Sequence, residues 1–264
     1  MPAVNAEKER QRLRLDVALV ARDLASSRER AQALVAAGLV EVDGARARSA
    51  AQPVGPGATV RVLGRDHPWA SRGGLKLEGA LPALGVECAG RVCLDAGAST
   101  GGFTDVLLSR GAARVYAVDV GRGLLAARLA ADARVVVMDD TNLRTLASLP
   151  GPAPDLFTLD LSFISLRLVM PAVQRLAGVD GEAEVVALFK PQFELGRGAV
   201  GKGGVVRDVD AGAEGAASFL RWAADMLDAA VAGPPERAAV RGAGGNQEWF
   251  VHFTLRGMPV ASDS

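Results

Sequence analysis

Two lysines and two carboxylates stand where a chain of alternating strands and helices gathers its polar groups. They are Lys76 in Ser-Arg-Gly-Gly-Leu-Lys, Asp160 in Leu-Asp-Leu-Ser-Phe-Ile-Ser, Lys190 in Phe-Lys-Pro-Gln-Phe-Glu and Glu248 in Gly-Asn-Gln-Glu-Trp-Phe. Lys190 is the most telling, because it ends the apolar run Val185-Val186-Ala187-Leu188, whereas most lysines are simply solvated. Such a set can act on a hydroxyl in two ways. A lysine deprived of its charge by burial and a neighbouring cation accepts the proton, while one that stays charged stabilises a developing oxyanion. Residue types alone leave both open. In either case Asp160 and Glu248 orient the two ammonium groups and keep the local charge tolerable.

A second constellation is suited to a nucleotide. Leu94-Asp95-Ala96-Gly97-Ala98-Ser99-Thr100-Gly101-Gly102-Phe103 reads as a strand running through a glycine-rich turn into a helix, which lets backbone approach a ligand closely. Gly97 and Gly102 occupy the outer positions of a dinucleotide fingerprint, but its middle glycine is Ser99. Asp119, ending the next strand, is placed to accept both hydroxyls of an adenosine ribose. Asp139 and Asp140 end the strand after that, where an ordinary helix cap leading into Thr141-Asn142 is one reading and a ligand contact the other.

Strands expected at 91–95, 114–119, 134–138, 155–160 and 184–189 alternate with helical stretches at 103–110, 121–130, 165–176 and 211–230, the pattern of an α/β domain with a mostly parallel sheet. Two more strands are expected near 236–241 and 248–255, which makes seven. In front lies a different module. Leu15, Leu19, Val20 and Leu24, then Ala31, Leu34 and Val35, mark two short helices, and 39–42, Asp43-Gly44 and 58–62 mark strands around a hairpin turn. The expected organisation is a small α+β domain at 1–63, a linker at 64–79 and a large domain at 80–264.

Charge is unevenly divided. The chain is neutral overall, but residues 1–72 hold 12 Lys/Arg against 8 Asp/Glu, leaving 18 against 22 for the rest. A basic front module suits a polyanion. Two cysteines, Cys88 and Cys93, and two histidines, His67 and His252, are too few for a Cys/His zinc cage, so no metal is expected. No apolar run approaches the roughly 18 residues of a membrane span. The expected location is the cytoplasm, without a membrane partner.

The front pattern Arg12-x-Arg14-Leu15-Asp16 … Ser27-Arg28 … Ala37-Gly38-x-Val40-x-Val42-Asp43-Gly44 resembles the alpha-L RNA-binding domain. That resemblance implies phosphate contacts from Arg28, Arg30, Arg46 and Arg48, with Arg72 added from the segment that follows. The turn with Asp95 resembles the D-x-G-x-G-x-G motif of Rossmann-like class I methyltransferases, implying S-adenosylmethionine held by Asp95, Gly97, Ser99, Gly101, Gly102, Asp119, Asp139 and Asp140. Lys76, Asp160, Lys190 and Glu248 resemble the Lys-Asp-Lys-Glu tetrad of RNA ribose 2′-O-methyltransferases. Their flanking strings resemble the haemolysin-A (TlyA) family over almost the whole chain. The resemblance implies methylation of a cytidine 2′-hydroxyl in ribosomal RNA. The large subunit is favoured, since only 16 residues follow Glu248. A non-catalytic RNA-binding factor leaves the two lysines unexplained, and an NAD-linked oxidoreductase leaves the tetrad and the front domain unexplained.

Overall fold

A computed structural model describes residues 12–22, 24–25, 28–63, 67–178, 181–201 and 203–257. Contacts divide the chain into two units, Met1–Pro68 and Trp69–Ser264.

In the first unit Leu13–Arg14 (β1) leads into Leu15–Ala21 (α1), followed by Arg28–Ala36 (α2), Val40–Val42 (β2), Ala45–Arg46 (β3), Pro53–Val54 (β4) and Val60–Val62 (β5). Asp43 and Gly44 take φ of 52° and 81° and close β2 onto β3. An Asp-Gly pair accepts these angles, and the twist of such a turn matches that of the strands it joins. Leu15, Leu19, Leu34, Val40 and Val54 fill the small core. Asp16 is fully buried and accepts hydrogen bonds from Arg14, Gln32 and Arg28 at 2.9–3.1 Å. Arg14 first, then Gln32, hold its carboxyl far below the usual carboxylate range. Arg28 therefore commits one end of its guanidinium to the fold, although 59% of its side chain stays exposed. Arg46 and Arg48 are exposed and Arg30 half-buried.

The second unit runs Gly73–Leu84 (α3), Val92–Ala96 (β6), Gly102–Ser109 (α4), Arg114–Val118 (β7), Ala127–Ala130 (α5), Val135–Met138 (β8), Leu156–Leu159 (β9), Met170–Leu176 (α6), Glu182–Phe189 (β10), Pro191–Glu194 (α7), Val209–Leu227 (α8), Ala230–Val231 (β11), Glu236–Arg237 (β12) and Trp249–Arg256 (β13). The sheet order is β11-β13-β10-β9-β6-β7-β8, with β12 also on β13. Strands β6 to β10 are parallel and β13 is antiparallel to β10. Successive residues of each strand feed opposite cores, as the two-residue period of a strand requires. Cys93, Val115, Leu156 and Val186 pack with α3 and α4, whereas Leu94, Tyr116, Phe157 and Val185 pack with α6 and α8.

Four differences from the sequence reading have local causes. The sheet has eight strands rather than seven, because Asp228 adopts a left-handed φ of 51° and ends α8 at Leu227, leaving Ala230–Val231 to pair with β13. The strand expected at 236–241 is reduced to two residues. Of the stretch 121–130 only Ala127–Ala130 is helical, since Gly121 N–H is taken by Asp119 and Gly123 has positive φ. Within the segment read as a linker, residues 69–79 belong to the second unit. Trp69 and Ala70 are buried, Asp105 accepts the Ala70 amide at 2.8 Å, and α3 begins at Gly73.

Candidate active site

Order along the sheet reverses between β6 and β9, which run parallel side by side with their connections leaving in opposite directions. Such a switch point opens a crevice at the carboxyl ends of the strands. Here it is a cleft of about 390 Å³, bordered by Gly97 and Ser99 after β6, Asp119 after β7, Thr141 and Asn142 after β8, and Asp160 to Ile164 after β9. Its volume falls within the range of small-molecule sites, about 300–1,000 Å³.

The wall after β6 has room for glycine alone at one position. Gly97 has φ of 79°, and a Cβ there would lie 2.6 Å from the backbone oxygen of Asp160. This close approach sets Asp160 directly behind the glycine turn. Asp119 fixes the turn from the other side: its Oδ2 accepts the Ser99 amide at 2.8 Å and its Oδ1 accepts the Gly121 amide at 2.7 Å. The remaining lone pairs of both oxygens can still take hydroxyl donors.

Asp95 does not reach the cleft. It is fully buried, with Thr104 Oγ1 donating to it at 2.7 Å and Thr158 Oγ1 at 3.3 Å. Burial pushes its carboxyl up to about 7, against the Thr104 hydrogen bond, and the Asp160 charge adds to the rise. Gly101 and Gly102 lie behind the cleft as well. At Gly102 a Cβ would stand 2.8 Å from the Gly74 amide nitrogen, so this glycine lets α3 come against α4. Asp139 and Asp140 are absent from the lining. Asp139 accepts the Gly123 amide at 2.8 Å, and Asp140 lies 3.8 Å from Arg122. Thr141, Asn142, Val120, Leu124 and Phe163 border the cleft and were not singled out in the sequence. Asn142 carried a signal as a capping residue, and it does cap the short turn at Leu143–Thr145.

The four polar residues of the opening constellation meet at the same end of the sheet. Lys190 follows β10 directly and Glu248 precedes β13. The antiparallel register Phe189↔Trp249 thus brings the next residue on each strand, Lys190 and Glu248, side by side at the carboxyl end of β10. Asp160 follows β9, which pairs with β10. Lys76 comes from the first turn of α3, whose Gly73 faces Asp160: a Cβ there would lie 3.7 Å from Oδ2. Three residues on and therefore on the same helical face, Lys76 donates to Glu248 Oε2 at 2.6 Å. Lys190 Nζ lies 2.6 Å from Asp160 Oδ1 and donates to Ser162 Oγ at 3.0 Å. Both pairs are nearly buried, with side-chain exposures of 11% and 2% for Lys76 and Glu248 and 9% and 20% for Lys190 and Asp160. A Cβ at Gly242 would overlap the Glu248 carboxylate, so a larger residue there would displace Glu248 from its position against Lys76.

Arg72 is exposed, immediately before α3. In the glycine-rich stretch 193–208, Lys202 lies outside the described residues. Asn246 pins part of the rest, accepting the Val206 amide at 2.9 Å and donating to the Gly204 carbonyl at 3.0 Å. Among the described residues no helix is long and apolar enough to cross a membrane, and no three His, Cys, Asp or Glu side chains are grouped to hold a metal ion.

Comparison with known proteins agrees with this division. Residues 69–255 match the FtsJ-like methyltransferase family and residues 13–60 match the S4 domain. The 16S/23S rRNA (cytidine-2′-O)-methyltransferase TlyA of Mycobacterium tuberculosis is 46% identical over 243 residues, covering 91% of this chain and 89% of its own. Hemolysin A of Brachyspira hyodysenteriae is 38% identical, covering 74% of this chain and 81% of its own. A solved structure described as "Putative hemolysin from Streptococcus thermophilus" superposes with a TM-score of 0.73 at 36% identity, covering 94% of this chain and 90% of that one.

Proposed function

The chain belongs to the TlyA family of FtsJ-like ribosomal RNA methyltransferases, and from that premise we propose that it transfers a methyl group from S-adenosylmethionine to the 2′-hydroxyl of a cytidine ribose in ribosomal RNA. The observation that carries this reading is the pair of nearly buried ammonium–carboxylate contacts, Lys190–Asp160 and Lys76–Glu248, at the end of the sheet where Asp160 borders a nucleotide-sized cleft.

The cleft suits the methyl donor. Asp119 offers two carboxylate oxygens to the adenosyl ribose, the backbone at Gly97 and Ser99 comes close without a side chain in the way, and Val118, Leu143 and Ile164 give the base apolar walls. Asp95 supports this turn from beneath through Thr104 and Thr158. When bound, S-adenosylmethionine supplies an electrophilic sulfonium methyl.

A ribose hydroxyl is a poor nucleophile, so the chain's task is to align it and to relieve its proton. Lys190 is the group at the hydroxyl, aimed by Asp160 and Ser162. As an amine it takes the proton; as an ammonium it stabilises the developing alkoxide. The two roles differ in the pH dependence of turnover, since only the base role needs Lys190 neutral. Lys76 raises the local positive potential, and Glu248 holds it in place and offsets its charge. The first unit supplies phosphate contacts from Arg28, Arg30, Arg46 and Arg48, with Arg72 beside α3, which positions RNA without reading its sequence. A ribosomal substrate puts the reaction in the cytoplasm.

Large-subunit RNA is the first target to test, together with small-subunit RNA, because the M. tuberculosis relative is named for both. Mass-spectrometric mapping of ribose methylation, in ribosomal RNA from cells with and without the protein, should show one or more cytidines methylated only in its presence. Identical maps would overturn the reading.

A further inference from the structure

Lys190 presents a mechanical difficulty. Its Nζ makes two polar contacts, to Asp160 and to Ser162, that join the segment after β10 to the segment after β9. If Lys190 turns toward a ribose oxygen during the reaction, those contacts weaken at the moment when the two segments most need to stay in register.

A second set of contacts between the same segments does not involve Lys190. Glu194, the last residue of α7, reaches across to the segment after β9. Its Oε2 accepts Ser165 Oγ–H at 2.7 Å and its Oε1 accepts the Leu166 amide at 2.6 Å. Ser165 is also the N-cap of the short turn Leu166–Leu168, its Oγ accepting from Arg167 N–H. The carboxylate thus caps a helical turn that belongs to another part of the chain, with charge-assisted bonds stronger than those of a neutral group. Beside it the Phe193 ring packs on Phe163 with centroids 5.0 Å apart. Phe163 needs such restraint: it is 90% exposed and has φ of 64°, a left-handed conformation that a bulky residue keeps only where its surroundings enforce it. Between Asp160 and Glu194's anchor at Ser165 lie Leu161, Ser162, Phe163 and Ile164, all of which border the cleft.

We propose that Glu194 is a positioning residue for methyl transfer, clamping the wall of the donor cleft to the segment that carries Lys190, so that Lys190 can leave Asp160 without the wall moving. The proposal rests on the methyltransferase reading for its rate consequence, but not for its mechanical one. Burial raises the half-buried Glu194 carboxyl, and two donors stand in for part of its water.

Three measurements on the full chain test it: single-turnover methyl transfer to ribosomal RNA, affinity for S-adenosylmethionine by calorimetry, and hydrogen exchange of the peptide spanning 160–168. Glu194→Ala should slow transfer by about tenfold or more, because sub-ångström displacement of a reacting group has that scale of effect. It should weaken donor affinity and speed exchange across 160–168 while RNA affinity holds. Glu194→Gln should restore all three close to wild type: its amide oxygen still accepts from Leu166, and the Ser165 hydroxyl can turn to accept from the amide nitrogen. Equal losses in Glu194→Ala and Glu194→Gln would replace the clamp with a charge effect, and wild-type rate and exchange in Glu194→Ala would refute it outright. Should Glu194→Ala not fold, Ser165→Ala removes one of the two bonds and must give an intermediate loss; none would likewise refute the clamp. A wild-type chain inert on RNA would sink the functional reading alone, since donor affinity and exchange still judge the clamp.

Discussion

Replacing Gly97 by alanine adds one methyl group where the structure has least room for it. The residue sits at φ of 79°, and the new Cβ would fall 2.6 Å from the Asp160 carbonyl oxygen, whereas real contacts under 3.0 Å essentially do not occur. Two costs follow. Holding alanine in the left-handed region costs about 1–2 kcal/mol of stability. In addition the Asp160 backbone must retreat by at least about 0.4 Å, and by roughly twice that for an ordinary van der Waals contact, which carries the carboxylate away from Lys190. A misplacement near 1 Å lowers turnover by up to about a hundredfold, so the expected loss in single-turnover rate is about ten- to a hundredfold. Donor affinity should weaken too, because both Gly97 and Asp160 border the cleft. The assay is methyl transfer from radiolabelled donor to ribosomal RNA, alongside urea unfolding. Gly57→Ala serves as control, as its Cβ would meet nothing within 4 Å. A Gly97→Ala variant with wild-type turnover and affinity would show that the turn and Asp160 are not coupled, and the geometric account of the site would fail.

Lys190→Ala should abolish transfer while leaving donor affinity within a few-fold, since Lys190 does not border the donor cleft; normal turnover would remove it from the reaction. Asp95→Asn should change how stability depends on pH. Burial raises the Asp95 carboxyl from 3.8 to about 7, so the native state favours the protonated form, and that contribution is fully present below about 4 and lost as pH rises through 7. At about 1.4 kcal/mol for each pH unit, the loss is on the order of 4 kcal/mol. Urea midpoints followed from pH 4 to 9 should favour Asp95→Asn increasingly up to about pH 7 and level off above it, and parallel curves across pH 4 to 7 would contradict the assignment. Reversing Arg46 and Arg48 to Glu should weaken RNA binding and flatten its salt dependence while sparing donor affinity; unchanged RNA affinity would reassign the first unit.

Much of the second unit was legible because parallel strands buried on both faces read as apolar runs and their ends as polar punctuation. Val185 to Lys190 is the clearest case. What escaped reading was conformation set by distant partners. Ser-Arg-Gly-Gly reads as a break, yet Gly74 is glycine because the Trp69 side chain would lie 2.5 Å from any Cβ there, so the same residues that suggest a linker are what allow α3 to dock. Asp95 reads as a ligand group, but whether a carboxylate at a strand end points into a cleft or under it depends on Thr104 and Thr158, which lie 9 and 63 residues away in sequence. Asp139 and Asp140 were ambiguous between ligand and cap. The Gly123 amide draws off Asp139, and no local signal marks that glycine as its partner.

The outer side of β13 is shared by two fragments of two residues each, β12 along Trp249–Phe250 and β11 along Phe253–Thr254, with Ala232 N–H filling the step between them at His252. A long strand left bare would offer its amides and carbonyls to any extended peptide, including a nascent copy of itself. Here that template is interrupted twice within eight residues, so neighbouring molecules at high concentration find no continuous ladder on this flank to extend. A cell that makes this protein in quantity is thereby spared one route to fibrous aggregation.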